Sequence, residues 1–288
     1  MTELRLSHRP ATARKAVDVF VRAFSVLSAF VGIFFLFWIL WVVLQKGHTV
    51  LSWSFFTSAP PSPGEGVGGI KYALVGTLKM TGLACLMGVP VGLFTGVYLA
   101  EFGRHGAFGS GVRFCVNLLM GIPSILVGLF AYTIIVLAAP RHYSGNAGAF
   151  ALAIIMLPTV ARTTEDMLLL VPDTLRESAL ALGVPRWRMI TGILFRAARK
   201  GLLTGVLLSV SRVSGETAPL LFTALNNNFY PKNLSQPTAN LTVTIYNYAM
   251  SPYDNWQRVA WGASLVIMAF LLGVTLILRW LLKERHQS

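Results

Sequence analysis

An all-α, polytopic membrane protein with six transmembrane helices is predicted by three observations. The chain of 288 residues is 55% hydrophobic and only 12% charged, too apolar for a soluble domain. Six runs, at about 20–44, 72–99, 114–139, 147–170, 201–224 and 259–282, reach the roughly 20 apolar residues that a span needs. The basic residues between the runs fall on alternate sides, as they do in polytopic proteins.

The elements follow in order. Residues 1–19 form a basic tail, and 20–285 form one transmembrane domain. The first run has no A-x-A-like processing site, so it is read as a retained helix. Its single charge, Arg22, places it at the periphery. The stretch 45–71 contains Pro60-Pro61-Ser62-Pro63-Gly64-Glu65-Gly66 and is read as an outer loop. The second run carries Gly76, Gly82, Gly88, Gly92 and Gly96, which let another helix approach closely. Lys79 within it is expected to snorkel outward. Cys85 and Cys115 are isolated thiols in the second and third runs; packing accounts for them better than redox or metal chemistry. His8, His48, His105, His142 and His286 sit in tails or near membrane edges and form no cluster. The segment 225–258 holds Asn226-Asn227-Asn228, Tyr230, Tyr246, Tyr248, Tyr253 and Trp256. It is read as an outer surface, either a contact for a soluble partner or an interfacial aromatic belt.

Sidedness comes from the cations. Arg5, Arg9, Arg14, Lys15 and Arg22 precede or open the first run, and Arg104 and Arg113 follow the second. Arg176, Arg186, Arg188, Arg196, Arg199 and Lys200 follow the fourth, and Arg279, Lys283 and Arg285 end the chain. The other side has only Lys46, Lys71, Arg141, Lys232 and Arg258. The positive-inside rule puts both termini and the loop after the fourth run in the cytoplasm. The net charge of +13 is thereby accounted for by topology, with no basic-aromatic stripe to suggest nucleic acid.

Two runs contain charges at membrane depth. Arg212 stands eleven residues into the fifth run, about 16 Å along the axis. A bare Arg there costs about 2.5–3.5 kcal/mol on the most lenient insertion scale. Glu216, one turn on, is expected to pair with it. Ser209, Ser211, Ser214 and Thr217 add hydroxyls, and Pro219 is expected to free a backbone carbonyl. In the fourth run Pro158 is read as an interruption, followed by Arg162, Glu165 and Asp166. Arg162 and Glu165 share a face. Structural pairs that lock helices together would use the same residues, but intramembrane ionisable groups more often serve function. A guanidinium fork suits a tetrahedral oxyanion. A neighbouring carboxylate lowers the cost of the empty site and can accept a proton from a partly protonated anion, which favours phosphate over sulfate. The candidate substrate path is therefore Arg162, Arg212, Glu216, Glu165, Ser214 and Thr217.

A third informative stretch is Glu177-Ser178-Ala179-Leu180-Ala181-Leu182-Gly183-Val184-Pro185-Arg186, within a loop over about 172–196. Thr174 and Glu177 have capping-box spacing. Leu175, Ala179 and Leu182 give a two-turn helix one apolar face. Gly183 supplies a left-handed stop and Pro185 blocks continuation. A short amphipathic helix held outside the membrane is predicted.

This stretch resembles the EAA loop of ABC importer permeases, with Glu177, Ala179, Gly183 and Ile193 in register, Ser178 replacing the middle Ala, and Phe195-Arg196 in place of Leu-Pro. With Leu157–Met167, Arg212–Thr223, Gly69–Leu78 and Gly121–Ile125, the chain over about 65–285 is similar to the PstA family, permease subunits of the bacterial phosphate ABC importer (type I importers). The resemblance implies a cytoplasmic EAA coupling helix in which Glu177, Ala179 and Gly183 serve contact with an ATPase. It implies that Arg162 and Arg212 belong to a phosphate path. It also implies a second permease (PstC-like), an ATPase dimer (PstB-like) that holds ATP and Mg, and a periplasmic phosphate-binding protein (PstS-like), all at the bacterial inner membrane. Two rival readings are a permease for another oxyanion (molybdate, sulfate or a phosphonate) and an intramembrane enzyme. Against an enzyme, the sequence has no G-x-x-x-x-G-K-[ST], H-E-x-x-H or G-x-S-x-G run and no nucleophile–base pair.

Overall fold

The computed structural model describes residues 11–64, 66–138, 142–230 and 232–282. Arg5, His8, Arg9, Glu65, Arg141, Lys283, Arg285 and His286 lie outside them, and of Arg14 and Arg279 only the backbone is described. The described residues are helical with no strand. Helix α1 spans Ala11–Gly47. It begins inside the stretch read as a tail, because no Gly or Pro interrupts the chain between Ala11 and Gly32. Its Phe20, Phe24, Phe30, Phe37 and Trp41 are exposed, a surface suited to lipid. Only its end packs, with Gly47 against Trp261 and Leu265 of the last helix, α12 (Asp254–Leu282).

A short helix, α2 (Trp53–Thr57), is capped by Ser52 and buries Phe55. Helix α3 (Lys71–Glu101) then packs along α6 (Gly145–Leu169). Between these two lies the principal interface of the fold, built on Gly88, Gly92 and Gly96 of α3. A Cβ at Gly92 would stand 2.8 Å from the Val160 Cβ, and one at Gly96 would stand 2.5 Å from the Ala161 carbonyl oxygen. The spacing of four residues keeps these glycines on one face. Gly96→Leu is therefore expected to destabilise the chain by about 1–3 kcal/mol through overpacking. A lower thermal midpoint in detergent checks this; an unchanged midpoint would mean that the interface can part without cost.

The third predicted span is a bent pair. Helix α4 (Ala107–Gly121) and α5 (Ser124–Ala131), the latter continued by a π-helical turn over Tyr132–Val136, meet at 102°. Pro123 explains the corner: the residue before a proline is pushed out of the helical region, and Ile122 is extended at φ −71°, ψ 129°. Pro158 does not interrupt α6, which runs through it. After α6 come α7 (Asp173–Ala181), α8 (Arg186–Arg188) and a π-helical segment, Met189–Leu194, that leads into α9 (Phe195–Ser214).

The fifth predicted span is also divided. Helix α9 stops at Ser214, and α10 (Ala218–Thr223) restarts with Pro219 in its first turn. There a missing N–H costs nothing, so Pro219 opens a helix rather than freeing a carbonyl within one. Among the described residues α1, α3, α6 and α12 are long and apolar enough to cross a membrane, and α4 with α5 qualifies as one broken span. Helix α9 carries Arg196, Arg199, Lys200 and Arg212 and relies on its neighbours for burial.

The segment 225–258 contains a further helix, α11 (Leu241–Ala249), capped by Asn240. Two aromatics read as surface residues are structural. Tyr248 is buried and stacks on Trp256 at 4.5 Å, and the Trp256 indole N–H donates to the Pro61 carbonyl at 3.1 Å. Lys79 reaches this segment, donating to the Lys232 carbonyl at 3.4 Å and facing the Tyr230 ring.

Candidate substrate path and coupling loop

The charges of α6 form a cluster with α4. Glu165 is 2% exposed and is held by two arginines. Arg113 of α4 donates Nε to Glu165 Oε1 at 2.5 Å and Nη2 to the Leu99 carbonyl at 3.0 Å. Arg162 reaches Glu165 Oε2 at 3.4 Å and Asp166 Oδ2 at 3.3 Å. The Arg162 side chain is 43% exposed, whereas that of Arg113 is 24% exposed. A carboxylate this deep requires such compensation. The sequence reading assigned Arg113 to a loop and missed it. Its signal was the spacing of Gly109, Arg113 and Val116, since Gly109 and Val116 are the buried residues of α4.

Arg212 behaves differently. It is exposed near the end of α9 and makes no ion pair or hydrogen bond through its side chain among the described residues. The expected Arg212–Glu216 pair does not form, because α9 ends at Ser214 and Glu216 belongs to the break before α10. The Glu216 carbonyl instead accepts from Thr242 Oγ1 of α11 at 2.7 Å. The Ser214 hydroxyl is committed to the Val210 carbonyl at 2.8 Å, so its proton is not free for a ligand. Thr217 sits at the start of α10 and provides no side-chain cap. Thr159 Oγ1 and Ser211 Oγ are buried without a hydrogen-bond partner.

The two arginines are not side by side. Gly201 lies against Met167 and Gly205 against Thr163, which fixes an antiparallel register between α9 and α6. Extending it puts Arg162 level with Val206 and Arg212 level with Met156. The separation is six residues, about 9 Å along the axis. Arg162 lies toward the α7 end of the bundle and Arg212 toward the α10 end, in series.

The loop after α6 is anchored by a side chain read only as part of a basic surround. Arg176 of α7 is 7% exposed. It donates to Glu101 at 2.8 Å, to Asp173 at 3.0 Å, and to the Val171 and Leu168 carbonyls at 2.6 Å each. Arg104 also reaches Asp173, at 3.2 Å. The capping box is not made: α7 begins at Asp173 after Pro172, with Thr174 inside the helix and no side-chain cap. The predicted apolar face is corrected too. Ala179 is buried among Leu168, Val171, Met189 and Leu194, but Leu175 and Leu182 point away from it and are exposed, Leu182 by 83%. The inward stripe is Arg176 and Ala179; the outward one is Leu175, Leu182 and Trp187, with Glu177 exposed beside them. Gly183 adopts φ +76° and ends the helix in the left-handed region, as read. Among the described residues no group of His, Cys, Asp and Glu could hold a metal ion.

A family model described as the binding-protein-dependent transport system inner membrane component matches residues 88–284. The chain belongs to this family. The match takes in α4 to α12, and with them both arginines and the loop around α7. Among curated relatives of this inner membrane component, the phosphate transport system permease protein PstA of Haemophilus influenzae is 47% identical over 266 residues. That match covers 92% of this chain and 94% of the relative. PstA of Yersinia pestis is 45% identical, over 91% of this chain and 89% of the relative. A chain from an inward-facing form of the MetNI methionine ABC transporter superposes with a TM-score of 0.60 at 18% identity, over 75% of this chain and 93% of that one. The shared fold is therefore that of an ABC transporter membrane subunit.

Proposed function

We propose that the chain is the membrane permease of an ATP-driven importer that carries inorganic phosphate into the cytoplasm by alternating access. It is a transport subunit and not an enzyme. The observation that carries the reading is near-full-length similarity to PstA proteins of 44–47%, in a chain whose Arg212 is exposed and whose Arg162 is half-exposed. Arg162 and Arg212 stand in series on α6 and α9, uncovered in the single chain. A second, related permease facing them would complete an anion path along the seam, with each guanidinium offering a fork of donors to an oxyanion. Glu165 and Asp166 keep Arg162 compensated while the path is empty. The partners of this reading are a PstC-like permease, a PstB-like ATPase dimer with its ATP and Mg, and a PstS-like binding protein, with both termini of this chain in the cytoplasm.

The exposed face of α7, with Leu175, Leu182 and Trp187 around Glu177, is suited to a groove on the ATPase. Closure of the ATPase dimer on ATP would draw α7 with it, and the anchor at Arg176 would pass the movement to the ends of α3 and α6. Glu177→Lys is expected to weaken recovery of the ATPase with the membrane subunits in a pull-down; undiminished recovery would remove Glu177 from the contact. For the substrate, uptake by the reconstituted complex is expected to be inhibited by excess phosphate and far less by sulfate, molybdate or phosphonate. Equal transport of sulfate would overturn the assignment to phosphate.

A further inference from the structure

The cluster around Glu165 divides its labour unequally between two arginines. Glu165 is almost wholly buried and, if ionised, must be neutralised where it stands. Arg113 does this from α4 by direct contact with Oε1, and its second nitrogen is fixed on the Leu99 carbonyl. Arg162 touches the other oxygen only at 3.4 Å, shares itself with the half-exposed Asp166, and is the most open of the cluster's two cations. Long, exposed contacts of this kind hold a side chain weakly. Remove Arg113, and among the described residues Arg162 becomes the one cation left paired with a buried carboxylate.

We infer that Arg113 is a positioning residue of the anion path: by satisfying Glu165 it keeps Arg162 free to turn toward an incoming oxyanion. The inference rests on the reading of Arg162 as an anion contact, and it brings a third helix, α4, into the site. Because α4 is joined to α5 through the Pro123 corner, any tilt of the bent pair would alter how firmly Arg162 is held.

The test uses the whole complex (this chain with its partner permease, ATPase and binding protein) in lipid vesicles, with labelled inorganic phosphate as the probe. Arg113→Gln is expected to lower uptake about tenfold or more, within the range of coupling between contacting charges, and Arg113→Gln with Glu165→Gln to recover it to the level of Glu165→Gln alone. Arg113→Lys, which keeps the charge, is expected to retain most of the uptake. A double variant no better than Arg113→Gln overturns the proposal, as does an Arg113→Gln that transports normally. Should Arg113→Gln fail to assemble, the double variant is expected to restore assembly and uptake together, since no buried charge then lacks a partner; restoring assembly alone, or neither, overturns it. Arg162→Gln separates the two ideas. Normal uptake by that variant sinks the anion-contact reading itself. Loss of uptake by it, with no recovery in the double variant, removes only the role given to Arg113.

Discussion

Arg176→Met is expected to detach α7 from the bundle. The guanidinium holds Glu101 and Asp173 together with the carbonyls of Leu168 and Val171. Methionine fills much of the same volume but offers no donor. It leaves Glu101, whose side chain is 7% exposed, as a buried charge without this partner, and takes one donor from each of the Leu168 and Val171 carbonyls. Breaking one side of a buried pair costs about 3–5 kcal/mol, a large part of a domain's stability. The local reading is protease sensitivity within 171–185, which should rise, while ATP-driven uptake falls out of step with ATP hydrolysis. Arg176→Lys should be intermediate, because an ammonium on a flexible stem cannot hold four oxygens in the geometry of the planar fork. Unchanged proteolysis and uptake in Arg176→Met would show that Ala179 and its apolar neighbours suffice to seat the loop.

Arg212→Gln is expected to abolish uptake while the complex assembles normally. The structure makes this test cleaner than the sequence did. No side-chain partner holds Arg212 among the described residues, so its removal orphans no carboxylate and should cost little stability. If the side chain contacts the anion, losing the charge removes about 2–5 kcal/mol of binding, roughly 30-fold to several thousandfold. Arg212→Lys keeps the charge without the bidentate fork and should transport at a reduced rate. A complex that falls apart on a sizing column would instead assign Arg212 to subunit packing, and full uptake by Arg212→Gln would remove it from the path.

The sequence was most legible where a property is local. The apolar runs that became α1, α3, α6 and α12 and the left-handed stop at Gly183 depend on composition and on a few neighbouring residues. So does the glycine ladder of α3, whose spacing of four announces a close helix contact without naming the partner. Where the reading failed, the deciding neighbour came from elsewhere in the chain. Thr174 and Glu177 had the right spacing for a cap, but Pro172 and the anchoring of Arg176 start α7 two residues earlier. Arg212 and Glu216 had the right spacing for a pair, but the break at Gly215–Thr217 takes them off a common helix.

From the residues alone came an all-helical membrane protein and a family whose membership the comparisons bear out, because hydrophobicity and short motifs are written along the chain. Only the tertiary structure decided which cation meets which carboxylate. It gave Glu165 to Arg113 across 52 positions and Glu101 to Arg176 across 75, and left Arg212 open. A buried charge is settled by whichever opposite charge the packing of helices brings within hydrogen-bond reach, and that packing is set by faces such as Gly92 and Gly96 against α6 rather than by proximity in sequence.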